Sequence, residues 1–142
     1  MNYKIDDNKV YLSIDRGEYV NASFLKICQD NNFKFTSIAG IGAILDPEVG
    51  FYDLDKKDYI KKQFLGDYEL TSLIGNVTIK ENQHFVHSHI TFTDIDFKAF
   101  GGHLFDCRVT AAAEFVLCVG NQKVIREYNN DVGLHLWNCR LG

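Results

Sequence analysis

The apolar positions of this chain change period early, from two to roughly four and back again. Lys9-Val10-Tyr11-Leu12-Ser13-Ile14 alternates and predicts a first strand. After Asp15-Arg16-Gly17-Glu18, the residues Val20, Phe24, Ile27 and Cys28 recur at spacings of four, three and one, which is the single apolar stripe of an amphipathic helix. The polar run Gln29-Asp30-Asn31-Asn32 ends that helix. Strand patterns follow. Phe35 to Ala39 leads into Gly40-Ile41-Gly42-Ala43-Ile44, and Gly50 to Asp53 pairs with Tyr59 to Phe64 across a charged turn. Leu45-Asp46-Pro47-Glu48 is a turn signal. Glu69 to Ile79 is a long strand with Gly75 as a bulge position, and Glu81-Asn82-Gln83 turns into a second strand around Phe85 to Phe92. Val109 to Val119 is another long strand, whose continuous apolar end predicts burial on both faces. Gly120-Asn121-Gln122 makes a hairpin to Val124-Ile125-Arg126-Glu127-Tyr128, and Leu134 to Trp137 closes the sheet.

This pattern predicts a single α+β domain over 1–142, with a largely antiparallel or mixed β-sheet and one or two helices, the second not located. At 142 residues the chain can bury a full core, and 46% hydrophobic with 24% charged residues is the balance of an ordinary globular domain. No apolar run approaches the ~20 residues that span a bilayer, and the N-terminus lacks the basic and apolar regions of a secretory leader. A cytoplasmic location is the expectation. The net charge of −4 argues against non-specific nucleic-acid binding. The densest basic group, Lys56-Lys57 and Lys61-Lys62, is diluted by Asp53, Asp55 and Asp58 and reads as a solvated loop or edge strand. Cys28, Cys107, Cys118 and Cys139 form no C-x-x-C pair, and buried free thiols are expected. Gly40-Ile41-Gly42-Ala43 lacks the third glycine of a dinucleotide loop, because position 45 is Leu.

The chemistry concentrates in three histidines within seventeen residues, His87, His89 and His103. In a strand, positions 85, 87, 89 and 91 share one face, so His87 and His89 project together while Val86 and Ile90 pack on the other. His84 falls on the opposite face at the turn and reads as a solvent residue; His135, between Leu134 and Leu136, reads as outward-facing. The Gly101-Gly102 pair permits a backbone turn that would bring His103 back to the other two. Three imidazoles with a fourth position left to water are the donor set of an open zinc site. The spacing alone also fits a polar, solvent-facing side of a strand. Asp94, Asp96, Asp106 and Glu114 are the nearest acidic candidates for a fourth ligand or a general acid/base. Glu114, set in an apolar strand, more readily pairs with Arg126 or Arg108.

Together these segments resemble the plants-and-prokaryotes-conserved (PPC) domain family. The matching residues are Asp15-Arg16-Gly17-Glu18, Gly40-Ile41-Gly42-Ala43, Gly50-Phe51-Tyr52-Asp53, Glu69 to Asn76, His87-Ser88-His89, Gly101-Gly102-His103-Leu104 and Thr110 to Glu114, within roughly residues 9 to 137. The resemblance implies an α+β fold, a homotrimer and, in prokaryotic members, a metal, expected to be zinc, on His87, His89 and His103. The plant proteins carry an AT-hook that enters DNA; the 142 residues here contain no Arg-Gly-Arg core. A self-association and partner-binding module of the regulatory or DNA-binding class is therefore implied, with DNA contact weakly supported. Phe97 stands where the family often has glycine in the turn before Gly-Gly-His. The fold also resembles that of acetolactate decarboxylase, so the alternative is a small zinc-dependent lyase or hydrolase acting on a polar small molecule, with Glu114 or Arg108 assisting.

Overall fold

In the computed structural model, which describes residues 1–139, nine strands and one helix follow in the order β1 (Asn2–Asp6), β2 (Lys9–Asp15), α1 (Val20–Asp30), β3 (Thr36–Asp53), β4 (Asp58–Gln63), β5 (Asp67–Lys80), β6 (Gln83–Thr93), β7 (Ala99–Val119), β8 (Ile125–Asn129) and β9 (Leu134–Asn138). Strands make up 67% of the described residues, so the α+β expectation fits loosely, and among those residues the early helix has no companion. None of the described helices is long and apolar enough to cross a membrane.

β3 is the spine. One of its edges pairs with β7, the other with β5 and then β4. β5 pairs with β6, and β6 folds back onto β7, so β3, β5, β6 and β7 form a closed circuit. β1 and β2 extend the sheet beyond β7. Every pairing is antiparallel except the short parallel contact of β5 with β8, where Ile79 and Lys80 meet Ile125 and Arg126.

The apolar stripe read from the sequence is the inner face of α1: Val20, Phe24, Ile27 and Cys28 are fully buried. Phe24 meets Phe115 edge-on at 4.9 Å. Burying side chains of this size contributes about 1.5–3 kcal/mol each. The helix has no side-chain cap of its own; Asp106 of β7 accepts the backbone N–H of Asn21 at 2.9 Å and satisfies the N-terminus from outside the helix. β2 contributes Val10, Leu12 and Ile14 to the same core, and β7 contributes Leu104, Ala113, Phe115 and Leu117.

Several expectations are corrected. The apolar end of β7 is not buried on both faces: Ala113, Phe115 and Leu117 point inward, whereas Glu114, Val116 and Cys118 are exposed. Glu114 is therefore an outer-face residue, and neither Arg126 nor Arg108 is its partner; Arg108 pairs with Asp46 at 2.9 Å. Pro47 does not end a strand. It lies inside β3, where Asp46 adopts a left-handed φ of 50° and the register against β7 shifts between Leu45 and Glu48. The bulges of β3 and β5 fall between Gly40 and Gly42 and between Leu70 and Ser72, while Gly75 pairs regularly with Ile38 and Ser88. Residues 120–122 do not form a hairpin, because β8 crosses to β5 and pairs with β9 instead. Cys28 and Cys107 are buried and free, as expected, but Cys118 and Cys139 are exposed. Burial pushes the Cys28 thiol up to about 11, which keeps it protonated and unreactive.

Candidate metal centre

His87, His89 and His103 converge on the outer face of the closed circuit, and one ligating atom from each can be chosen so that all lie within 4.8 Å of one another. The Nε2 atoms of His87 and His89 are 3.2 Å apart. Two ligands on one tetrahedral ion with bonds of ~2.0–2.1 Å sit about 3.3 Å apart, so this pair already has the required spacing. His103 Nδ1 is buried and, alone among the buried side-chain nitrogens and oxygens of the described residues, has no hydrogen-bond partner. A metal, or another group able to engage such an atom, would remove that deficit.

Strand geometry sets this convergence. His87 and His89 share a face of β6, as their spacing predicts, while Ser88 and Ile90 between and beyond them are buried. The third histidine arrives by pairing, not by a turn: His103 sits directly opposite His89 in the β6–β7 ladder. The hairpin is made at Asp94 to Lys98, with Phe97 in the left-handed region at φ 61°. Gly101 and Gly102 lie within β7. Their role is close approach, since a Cβ on Gly101 would stand 2.5 Å from the Ile90 carbonyl oxygen.

Side chains outside the trio hold it. Asn21, at the start of α1, donates to the carbonyls of Leu104 at 3.1 Å and Phe105 at 3.0 Å, and accepts from the Ser88 hydroxyl at 2.9 Å. It thus ties the neighbours of all three histidines together. Tyr59 of β4 stacks on His103 with ring centres 4.7 Å apart, and Gly50 leaves room for Tyr59 and Phe105. Arg126 of β8 donates from Nη2 to His87 Nδ1 at 3.2 Å and to Asn76 at 3.0 Å.

Burial first, then the Arg126 charge, then His89, pushes the His87 imidazole down to about 4. His103 is likewise pushed down to about 4 by burial, by the other two rings, and by Arg126 and Lys61. Burial lowers His89 as well. Neutral imidazoles are the metal-ligating form, so the cluster is held ready for a cation. One side of it opens onto a cleft of about 720 Å³ lined by Tyr59, Lys80, Phe105, Arg126 and Tyr128 among others.

The remaining sequence candidates do not join the trio. Asp94 is tied to the hairpin through the N–H groups of Asp96 and Lys98, and Asp96 is exposed. Asp106 accepts the N–H groups of Asn21 and Cys107. His84 is not a solvent residue; it is half-buried with Nε2 2.8 Å from the Phe33 carbonyl oxygen. His135 is also half-buried, packed on Tyr128 and 3.5 Å from Glu81. Asn21 and Tyr59 carry no local signal of a site role, and Arg126 meets His87 and not Glu114. Their parts depend on long-range pairing that local patterns do not encode.

The family model of the Plants and Prokaryotes Conserved (PCC) domain matches residues 1–121. None of the curated proteins compared matches the chain. Among solved structures, one from Bacteroides thetaiotaomicron, described as a "putative dna binding protein", is 31% identical, with 96% of each chain covered and a TM-score of 0.93. A plant- and prokaryote-conserved protein from Pyrococcus horikoshii is 30% identical, covering 99% of this chain and 96% of its own at a TM-score of 0.87. A "metal-containing protein" from Archaeoglobus fulgidus is 30% identical, covering 96% of each at a TM-score of 0.86. Acetolactate decarboxylase from Bacillus subtilis shares the fold alone, at 18% identity and a TM-score of 0.52 over 86% of this chain and 57% of that one.

Proposed function

The chain belongs to the Plants and Prokaryotes Conserved domain family, and from that premise we propose that it is a self-associating metal-binding module, a homotrimer with a zinc ion on His87, His89 and His103 of each protomer. The observation that carries this reading is the meeting of three neutral imidazoles with no carboxylate among them. A nitrogen-only set suits zinc better than calcium or magnesium, which take oxygen ligands. The metal-containing relative from Archaeoglobus fulgidus points the same way. Support for self-association comes from the sheet itself. Tyr11, Val116, Ala39, Ile74 and His89 form one cross-strand row on the outer face. In that row Tyr11 is 45% exposed and Ile74 68% exposed, an apolar stripe fit to be covered by another protomer.

On this reading the module serves a protein or small-molecule partner in the cytoplasm. DNA enters through the relatives described as putative DNA-binding proteins, whereas the net charge of −4 and the dispersed lysines give little for phosphates to bind. Purification without chelator, elemental analysis and light scattering on a sizing column test metal and trimer together. A preparation free of metal that cannot be loaded with zinc would sink the metal half. Absence of salt-dependent binding in a fluorescence titration at low ionic strength would remove DNA.

One observation favours the enzymatic alternative, a small zinc-dependent lyase or hydrolase: His87 and His103 line the 720 Å³ cleft, so a zinc ion held by them would lie at its wall. A zinc ion there would supply a Lewis acid and an acidified water. Tyr59, Lys80 and Arg126 line the same cleft and are among the chain's own groups able to orient a polar ligand.

A further inference from the structure

Beside the histidine trio lies a positive charge with no negative partner. Arg126 is only 7% exposed. The ion pairs among the described residues do not include it. Its contacts are all to neutral acceptors: Nε to Thr78 Oγ1 at 2.8 Å, Nη1 to the His135 carbonyl at 3.0 Å, and Nη2 to Asn76 Oδ1 and His87 Nδ1. Phe85 and Trp137 lie beside the guanidinium, with ring centres 5.2 and 6.0 Å away. These contacts engage four of the five N–H donors without neutralising the charge, and a buried charge left unneutralised is unfavourable.

The cleft that Arg126 lines is short of acid. Lys80 and Arg126 face one carboxylate on its wall, Asp106, whose oxygen is already taken by the backbone N–H groups of Asn21 and Cys107, while His87 and His103 beside them are neutral. Lys61 adds to the positive field at His103. An electropositive cleft is thus built into a chain of net charge −4. Its other walls are aromatic: Tyr59, Phe85, Phe105 and Tyr128. One Nη1 hydrogen of Arg126 has no acceptor among the described residues. A single free donor plus a positive field suits a planar carboxylate group; a phosphate would look for more N–H groups than the cleft offers.

We infer that this cleft receives a small organic carboxylate, whose anionic group meets the remaining Nη1 hydrogen of Arg126 beside the histidine trio and whose carbon skeleton rests on the aromatic walls. The inference deepens the metal reading, on which the carboxylate also reaches the open coordination position. Arg126 and the cleft sustain it if the trio binds no metal.

The test is calorimetric titration of the full chain, zinc-loaded and chelator-stripped, with metal content measured on the same samples. The probes are malonate, its neutral isostere malonamide and inorganic phosphate. Malonate is expected to bind saturably, malonamide not at all, and Arg126→Met to weaken malonate roughly tenfold or more while circular dichroism stays native. Should Arg126→Met fail to fold, Arg126→Lys is expected to keep the fold and bind malonate with intermediate affinity. Equal binding of malonate and malonamide, malonate binding unchanged in both Arg126 variants, or phosphate binding tighter than malonate would each overturn the inference. If stripped protein that never takes zinc still binds malonate through Arg126, the metal reading falls and the carboxylate site stands.

Discussion

Ser88 donates its hydroxyl to Asn21 Oδ1 at 2.9 Å, so a buried residue between the two histidines of β6 is anchored to the first turn of α1. The same Asn21 amide holds the carbonyls that follow His103. Replacing it with leucine leaves two carbonyls and one hydroxyl without their partner, at a cost on the order of 3 kcal/mol. Asn21→Leu is therefore expected to lower the urea midpoint of metal-free protein and to weaken zinc binding as β6 and β7 lose their fixed spacing. An unchanged zinc affinity, measured by competition with a chromophoric chelator, would show that the anchor matters for stability alone.

Removing any one imidazole takes away a third of the protein's proposed donor set. Loss of an outer-shell partner alone weakens metal sites by about 10–100-fold, so His87→Ala, His89→Ala and His103→Ala should each lose roughly 100-fold or more. Zinc content after dialysis against buffer is the readout, with His84→Ala and His135→Ala expected to retain wild-type loading. Loss of metal in His84→Ala with the trio intact would mean that the ligand set has been misread.

Folding holds His87 and His103 at about 4, whereas in the unfolded chain a histidine takes its proton near 6.5. The unfolded state therefore binds more protons across that interval. The stability these groups contribute is fully present above about pH 6.5, declines as the pH falls, and is lost below about pH 4. Metal-free protein should show a urea midpoint that drops over this window, and His103→Phe should flatten the drop. A midpoint independent of pH between about 7 and 4.5 would contradict the buried, neutral state of these rings.

What could be read from the chain, and what could not, follows from the range of each interaction. The stripe of α1 and the shared face of His87 and His89 depend on periods of four residues or fewer, and both are visible locally. His103 comes beside the other two by ladder register across the Asp94 to Lys98 hairpin, which places it opposite His89, and not by the glycine turn that the local pattern implies. Glu114 looked buried because its neighbours are apolar, yet its partners in register are Ser13 and Ile41 on the outer face. Arg126 could not be found as a site residue, since it reaches His87 only through the parallel contact of β8 with β5, forty-odd residues away in sequence.

The outer-face row offers a direct test of self-association. Val116 is 39% exposed and Ile74 68% exposed, and both pair with Ala39. Introducing Ile74→Asp and Val116→Lys together places charges in the middle of the stripe without touching the core. The expected result is a shift in light scattering from about three times the chain mass to the 16.2 kDa of one chain, with circular dichroism unchanged. A wild-type protein that is already monomeric at micromolar concentration would refute the trimer.

Phe97 is 88% exposed and left-handed at φ 61°, a conformation that costs a side chain with a Cβ about 1–2 kcal/mol. The turn is otherwise well made: Asp94 accepts the N–H groups of Asp96 and Lys98 through its carboxylate and that of Phe97 through its carbonyl. Glycine at this position removes the strain but adds roughly 0.5–1 kcal/mol of unfolded-state entropy. Phe97→Gly should therefore stabilise the chain by about 0.5 kcal/mol, read as a small rise in the urea midpoint with an unchanged slope. Because this hairpin sets the register that puts His103 opposite His89, zinc affinity should hold or rise with it. A fall in both would mean that the exposed Phe97 ring is itself held by a contact, and the most direct source of one is a second copy of the chain.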